Sequence, residues 1–276
     1  MEIKLAKSYG FCFGVKRAIK IAESTQGGVT LGPLIHNNKE IDRLKKSFDV
    51  DTAHDMSEIK KNDKVVIRTH GVPKQDLEKL KTTASDIIDA TCPFVTKPQQ
   101  ICEEMSKEGY DIVIFGDENH PEVKGVKSYV STKAVVVLDV ADLKRQRFHS
   151  KIAVVSQTTR KMSEFLKVVN YLIEHYKEVR VFNTICNATF ENQDAARELS
   201  TEADIMIVIG GKNSSNTKQL YSICKDNCEK SYLIESREEL KKEWFEGKKL
   251  CGITAGASTP DWIIEDIINV IVEYDV

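Results

Sequence analysis

Short apolar runs punctuate this chain, and each ends in glycine, in a small polar loop or close to a cysteine. Three of them lead to a thiol: "IKLAKSYGFC" to Cys12, "SDIIDATC" to Cys92 and "VRVFNTIC" to Cys186. Each reads as a strand followed by a helix pattern: "FGVKRAIKIAES", "PFVTKPQQICEEMSKEG" and "NATFENQDAARELSTEA". A further apolar strand and a loop then follow, in "GVTLGPLIHN", "YDIVIFGDENHPE" and "ADIMIVIGGKNSSNT". A last shared element begins at Lys64, Lys151 and Lys249: "KVVIRTHG", "KIAVVSQTT" and "KLCGITAGAST".

The order strand, cysteine, helix, strand, loop, strand, loop therefore occurs three times, which argues for three copies of one unit. Strands alternating with helices imply mostly parallel sheets covered by helices, an α/β fold. The expected units are 13–92, 93–186 and 187–276, and equivalent points of the three can face a common axis, where Cys12, Cys92 and Cys186 would converge. The chain opens with the strand that should precede a cysteine, whereas the third copy ends without one. The N-terminal segment 1–12 is therefore expected to join the third unit.

The balance of 40 Lys and Arg against 42 Asp and Glu in 276 residues gives a net charge of −2. That disfavours nucleic acid as a partner. The apolar runs are too short to span a bilayer, and the N-terminus lacks the apolar stretch of a signal peptide, so a cytoplasmic address is expected. That address disfavours disulfides among the seven cysteines. Taken singly, a cysteine is more often an inert buried thiol than a ligand.

Three cysteines at equivalent points of three repeats change that balance. Pro93 suits a first helical turn and places Cys92 at the N-cap, where the helix dipole favours a thiolate. Three thiols with no fourth in register fit zinc with an open position, or an iron–sulfur cluster with one iron lacking a protein ligand. Cys102, within a helix pattern, and Cys251, within a strand, lie outside the repeat. Cys224 and Cys228, four apart, read as structural.

The loops hold His36 and His70 in the first copy, and His120, Glu122, Thr158 and Thr159 in the second. The third holds Ser214, Ser215, Asn216 and Ser258. Histidines, hydroxyls, an amide and helix starts suit a phosphate-like anion. Alone, Ser214 or Ser258 reads as an N-cap, and Glu122 as a first-turn acid after Pro121. Beside His120, Glu122 becomes a candidate proton donor. His54, His149 and His175 lie in charged segments and are assigned no role. The residues thus describe a metal centre with an open position, an anion cradle and one carboxylic acid, suited to reductive or Lewis-acid chemistry on a small phosphorylated molecule.

"GFCFGVKRAI", "GPLIHN", "RTHGVP", "DATCPFV", "HPEVKG", "SQTT", "NSSNT" and "TAGAST" occur in this order from residue 10 to 259. Together they resemble the 4-hydroxy-3-methylbut-2-enyl diphosphate reductase (IspH/LytB) family. The resemblance implies a three-lobed α/β protein, its units in a pseudo-threefold, trefoil-like arrangement around one central, oxygen-sensitive 4Fe-4S cluster. Cys12, Cys92 and Cys186 match the cluster ligands, leaving the fourth iron for the substrate hydroxyl. His36, His70, His120, Ser214, Ser215, Asn216 and Ser258 match the diphosphate-binding set. Glu122 and Thr158 match the proton path, with His120 beside them.

The implied reaction is the two-electron reductive dehydration of an allylic alcohol diphosphate. Isopentenyl and dimethylallyl diphosphate form together, as the last step of the non-mevalonate (MEP) route to isoprenoids. Ferredoxin, flavodoxin or a similar donor would supply electrons, in a bacterial cytoplasm. The rival reading is a non-redox zinc hydrolase or a binding protein for a small phosphorylated ligand. An iron–sulfur sensor would need neither the anion-binding loops nor Glu122.

Overall fold

A computed structural model of the chain describes residues 1–274. It contains three four-stranded sheets, all parallel. One orders β3 (Asp51–Ala53), β2 (Gly28–Leu31), β4 (Lys64–Ile67) and β5 (Asp86–Asp89). A second orders β7 (Ala134–Val137), β6 (Asp111–Phe115), β8 (Lys151–Ser156) and β9 (Glu178–Val181). In the third, β11 (Ser231–Ile234), β10 (Ile205–Ile209) and β12 (Leu250–Ala255) repeat that order, and the fourth place is taken by β1 (Glu2–Leu5). Ile3 pairs with Cys251 and Leu5 with Ile253, so the N-terminal strand lies in register along β12.

Each sheet thus has the same order, second strand, first strand, third strand, fourth strand. The expectation from the repeats named the first, third and fourth of these. The second, β3, β7 and β11, lies at the sheet edge, with one hydrogen-bonded neighbour. The central strands are buried on both faces, and for that reason read as unbroken apolar runs rather than alternating ones. All five residues of β10, IMIVI, are fully buried. Ile205, Ile207 and Ile209 face Ile263, Ile264 and Ile267 of helix α10 (Asp261–Glu273). Met206 and Val208 face the other way, onto Leu199 of α8 (Asn187–Glu202) and Leu220 of α9 (Ser215–Asn227). The other two sheets are likewise covered by helices, among them α4 (Pro93–Lys107) and α5 (Pro121–Lys127) on Ile112 and Ile114 of β6.

The chain divides into two compact units. The first comprises Met1–Lys16, His36–Asp42 and Asn187 onward, and holds the third sheet. The second comprises Arg17–Ile35 and Arg43–Cys186, and holds the other two. No described helix is long and apolar enough to cross a membrane.

Candidate active site

In the first two sheets the connections leave the first and third strands in opposite directions, and β10 and β12 hold the same two places in the third. The carboxyl ends of those two strands are therefore the switch point where open α/β sheets place their ligands. Every loop residue singled out from the sequence lies after one of these strands: His36 after β2, His70 after β4, His120 and Glu122 after β6, Thr158 after β8, Ser214–Asn216 after β10 and Ser258 after β12. The fourth strand runs beside the third and leads to the cysteine.

One backbone bond recurs in all three repeats. The amide of Cys12 donates to the carbonyl of Ala257 at 3.3 Å, that of Cys92 to Thr69 at 3.0 Å and that of Cys186 to Thr158 at 2.9 Å. Each acceptor belongs to the loop after the third strand of the same sheet. Each thiol is thereby fixed beside a residue of the proposed site: Ser258, His70 or Thr158 itself. The strands stop short of the cysteines, most of all β1, which ends at Leu5. This backbone bond, not continued strand, carries the chain to the thiol.

The helices start directly after the thiols. Helix α1 (Phe13–Ser24) begins at Phe13, α4 at Pro93 and α8 at Asn187. Cys92 is the N-cap of α4, with Pro93 in its first turn. The seven cysteines fall into two groups. Cys12, Cys92 and Cys186 are partly exposed, whereas Cys102, Cys224, Cys228 and Cys251 are buried. Burial pushes the thiols of Cys102, Cys224 and Cys251 up to about 12, far from a ligand thiolate. Cys228 caps the C-terminus of α9, and its thiol lies 3.5 Å from the Ala203 carbonyl.

In the second unit, Glu122 is 2% exposed in the first turn of α5. Its Oε1 accepts from the Thr158 amide at 2.7 Å and its Oε2 from the Thr158 hydroxyl at 2.7 Å. Burial disfavours the charged carboxylate more strongly than the two bonds favour it, and its pKa is pushed up to about 7. A buried carboxylic acid poised there can hold a proton at neutral pH and release it. His120 caps the same helix, its Nδ1 accepting from the Glu122 amide at 3.2 Å. The rings of His120 and His70 meet edge to face, with centroids 5.4 Å apart. Thr69 ties the His70 loop to the preceding one, its hydroxyl donating to the Leu34 carbonyl at 2.9 Å.

In the first unit, Ser214 caps α9 by accepting from the Thr217 amide at 3.3 Å. Asn216 is 4% exposed, and neither its amide nitrogen nor its amide oxygen has a hydrogen-bond partner among the described residues. A buried amide with both ends open marks a place for a polar ligand. The Ser258 hydroxyl donates to the His36 carbonyl at 3.3 Å. Backbones approach closely here: a Cβ on Gly211 would lie 2.3 Å from the His36 carbonyl oxygen, and one on Gly256 2.1 Å from Thr217 Oγ1. Thr217, fully buried against Gly210 and Gly256, was not among the sequence candidates. Its only signal was a place at the end of "NSSNT". His149, assigned no role, lies beside the start of β6, with its Nδ1 3.2 Å from Asp111.

The profile of the LytB protein family matches residues 3–272. This chain belongs to the LytB family. It is similar to the 4-hydroxy-3-methylbut-2-enyl diphosphate reductase of Nitratiruptor sp., with 68% identity over 269 residues and 98% of each chain covered. It is also similar to that of Campylobacter curvus, with 65% identity covering 99% of this chain and 100% of the relative. Two solved LytB-type structures share its fold. One is an (E)-4-hydroxy-3-methyl-but-2-enyl diphosphate reductase described as the terminal enzyme of the non-mevalonate pathway. It has a TM-score of 0.72 and 44% identity, with 99% and 100% coverage. The other is the E-1-hydroxy-2-methyl-but-2-enyl-4-diphosphate reductase of Plasmodium falciparum, with a TM-score of 0.91, 27% identity and 97% and 87% coverage. In LytB-family terms, the motifs from "GFCFGVKRAI" to "TAGAST" all lie within the matched span.

Proposed function

We propose that this chain is a 4-hydroxy-3-methylbut-2-enyl diphosphate reductase, acting at the end of the non-mevalonate route to isoprenoids. The observation that carries this reading, beside family membership, is the buried Glu122–Thr158 pair attached through the Thr158 carbonyl to Cys186. The net reaction takes one allylic alcohol diphosphate, two electrons and two protons. It yields water and isopentenyl or dimethylallyl diphosphate.

The donor set fits an iron–sulfur cluster: of seven thiols, the three at equivalent helix starts are the partly exposed ones. Cys12, Cys92 and Cys186 would hold a 4Fe-4S cluster, which when bound supplies electrons and a Lewis-acidic iron. Hydroxide is a poor leaving group, so the alcohol oxygen must be protonated as it departs. Glu122 would hold that proton. The Thr158 hydroxyl, bonded to its carboxyl, can pass the proton by accepting from the acid and donating onward. His36, His70, His120, Ser214, Ser215, Asn216 and Ser258 would bind the diphosphate. Fixing that end of the substrate supplies orientation at the other. The electron donor would be a ferredoxin, flavodoxin or similar protein, and the site of action the cytoplasm.

Anaerobic purification followed by iron and sulfide analysis, with EPR of the reduced protein, tests the cluster. About four irons per chain and turnover of the allylic diphosphate are the expected result. A colourless protein holding one zinc would replace this reading with the zinc hydrolase or phosphate-binding one.

A further inference from the structure

We propose that Glu40 and Trp262 form a clamp that positions His36 and Ser258 for the diphosphate, an inference that rests on the function proposed above. The segment His36–Asp42 belongs to the first compact unit, although the chain on either side of it belongs to the second. This short strap carries His36 and the start of helix α2 (Asn38–Phe48). Something in the first unit must hold it.

Three kinds of contact do so. The His36 carbonyl accepts from the Ser258 hydroxyl at 3.3 Å and lies against the Gly211 backbone. Lys39 pairs with Glu238 at 3.3 Å, but both side chains are exposed, and such a pair contributes little. Glu40, 1% exposed, accepts at Oε2 from the indole Nε1 of Trp262 at 3.0 Å. Trp262 is 42% exposed. Much of its ring is in solvent, and what it offers the interior is the N–H.

The arrangement is reciprocal. Glu40 follows His36 by four residues, and Trp262 follows Ser258 by four. Two helix starts are thus joined at two points, one of them a site hydroxyl. That hydroxyl cannot serve as strut and ligand donor together. When Ser258 turns its proton to a diphosphate oxygen, the bond to His36 is given up. The Glu40–Trp262 bond involves no proposed ligand donor and still joins the two loops. Its loss should therefore weaken binding of the diphosphate and leave the chemical step alone.

The test uses the cluster-loaded enzyme under anaerobic conditions, with KM and kcat for the allylic diphosphate and Ki for inorganic diphosphate as competitor. Trp262→Phe and Glu40→Val should each raise KM and Ki about tenfold, with kcat within about twofold. Glu40→Gln keeps an acceptor for the indole and should restore most of the affinity. If Glu40→Val fails to fold, Trp262→Phe carries the measurement, since it removes the N–H at little cost in packing. A lowered melting temperature with KM and Ki unchanged in Trp262→Phe would overturn the clamp. His36→Ala and Ser258→Ala are measured alongside. If these leave Ki unchanged, the proposed binding set itself is wrong. If they raise Ki and the clamp variants do not, the clamp alone is wrong.

Discussion

A single carboxyl sets the pH behaviour expected of this protein. The acid role proposed for Glu122 requires its proton, and a pKa pushed up to about 7 places the loss of that proton at neutrality. kcat should therefore be level on the acid side and fall about tenfold per pH unit above ~7. Thr158→Val removes one of the two bonds that favour the charged form. It should shift that alkaline limb to higher pH while lowering turnover; a limb that stays in place would separate Thr158 from the acid. Glu122→Gln should lower kcat by about 10²–10⁴, with iron content and KM near normal. The stability consequence has the opposite sense to that of an ordinary surface acid. The native state holds this proton more tightly than the unfolded chain, whose carboxyl titrates near 4.5. Stability should thus be fully present below about pH 4.5 as far as this group is concerned, and decline between ~4.5 and ~7. Urea midpoints of the wild type against Glu122→Gln across that range measure it.

Elements were unequally legible in the sequence. The buried strands announced themselves, because a strand covered on both faces cannot afford polar positions: "DIVIF" and "IMIVI" carry apolar residues throughout or after one leading acid. The edge strands did not. Asp51–Ala53 is three residues, one of them charged, and only its hydrogen bonds to β2 make it a strand. Site residues were ambiguous one at a time. Ser214 caps a helix, as its bland reading had it, and also stands at the mouth of the third sheet. Repetition resolved this by assigning equivalent loops equivalent places. Glycines mark where two such loops touch. A Cβ on Gly116 would lie 2.9 Å from both Gln157 and Val123, with no slack on either side. Gly116→Ala should cost about 1–3 kcal/mol in chemical denaturation and, by pressing on the neighbour of Thr158, lower turnover as well.

At the scale of the whole molecule, the three-fold repetition of order, helix start and cysteine amide bond makes the thiols a set. If the proposed iron–sulfur centre is right, Cys12→Ser, Cys92→Ser and Cys186→Ser should each lose or damage it, whereas Cys102→Ala should keep it. In metal-free protein at pH 8, brief alkylation followed by mass spectrometry should label these three and spare Cys102, Cys224 and Cys251, whose thiols burial holds near 12. Labelling of all seven alike would remove the distinction between the two groups.

The place of β1 along β12 has a consequence for how the protein is made. The first of the three ligand candidates to be synthesised, Cys12, has its amide bonded to the carbonyl of Ala257, 245 residues further along the chain. At ~5–20 residues per second, Cys12 waits tens of seconds without its partner strand, while Cys92 and Cys186 can be fixed by chain already synthesised. Assembly of the proposed cluster on all three thiols would thereby have to wait until Ala257 has been synthesised.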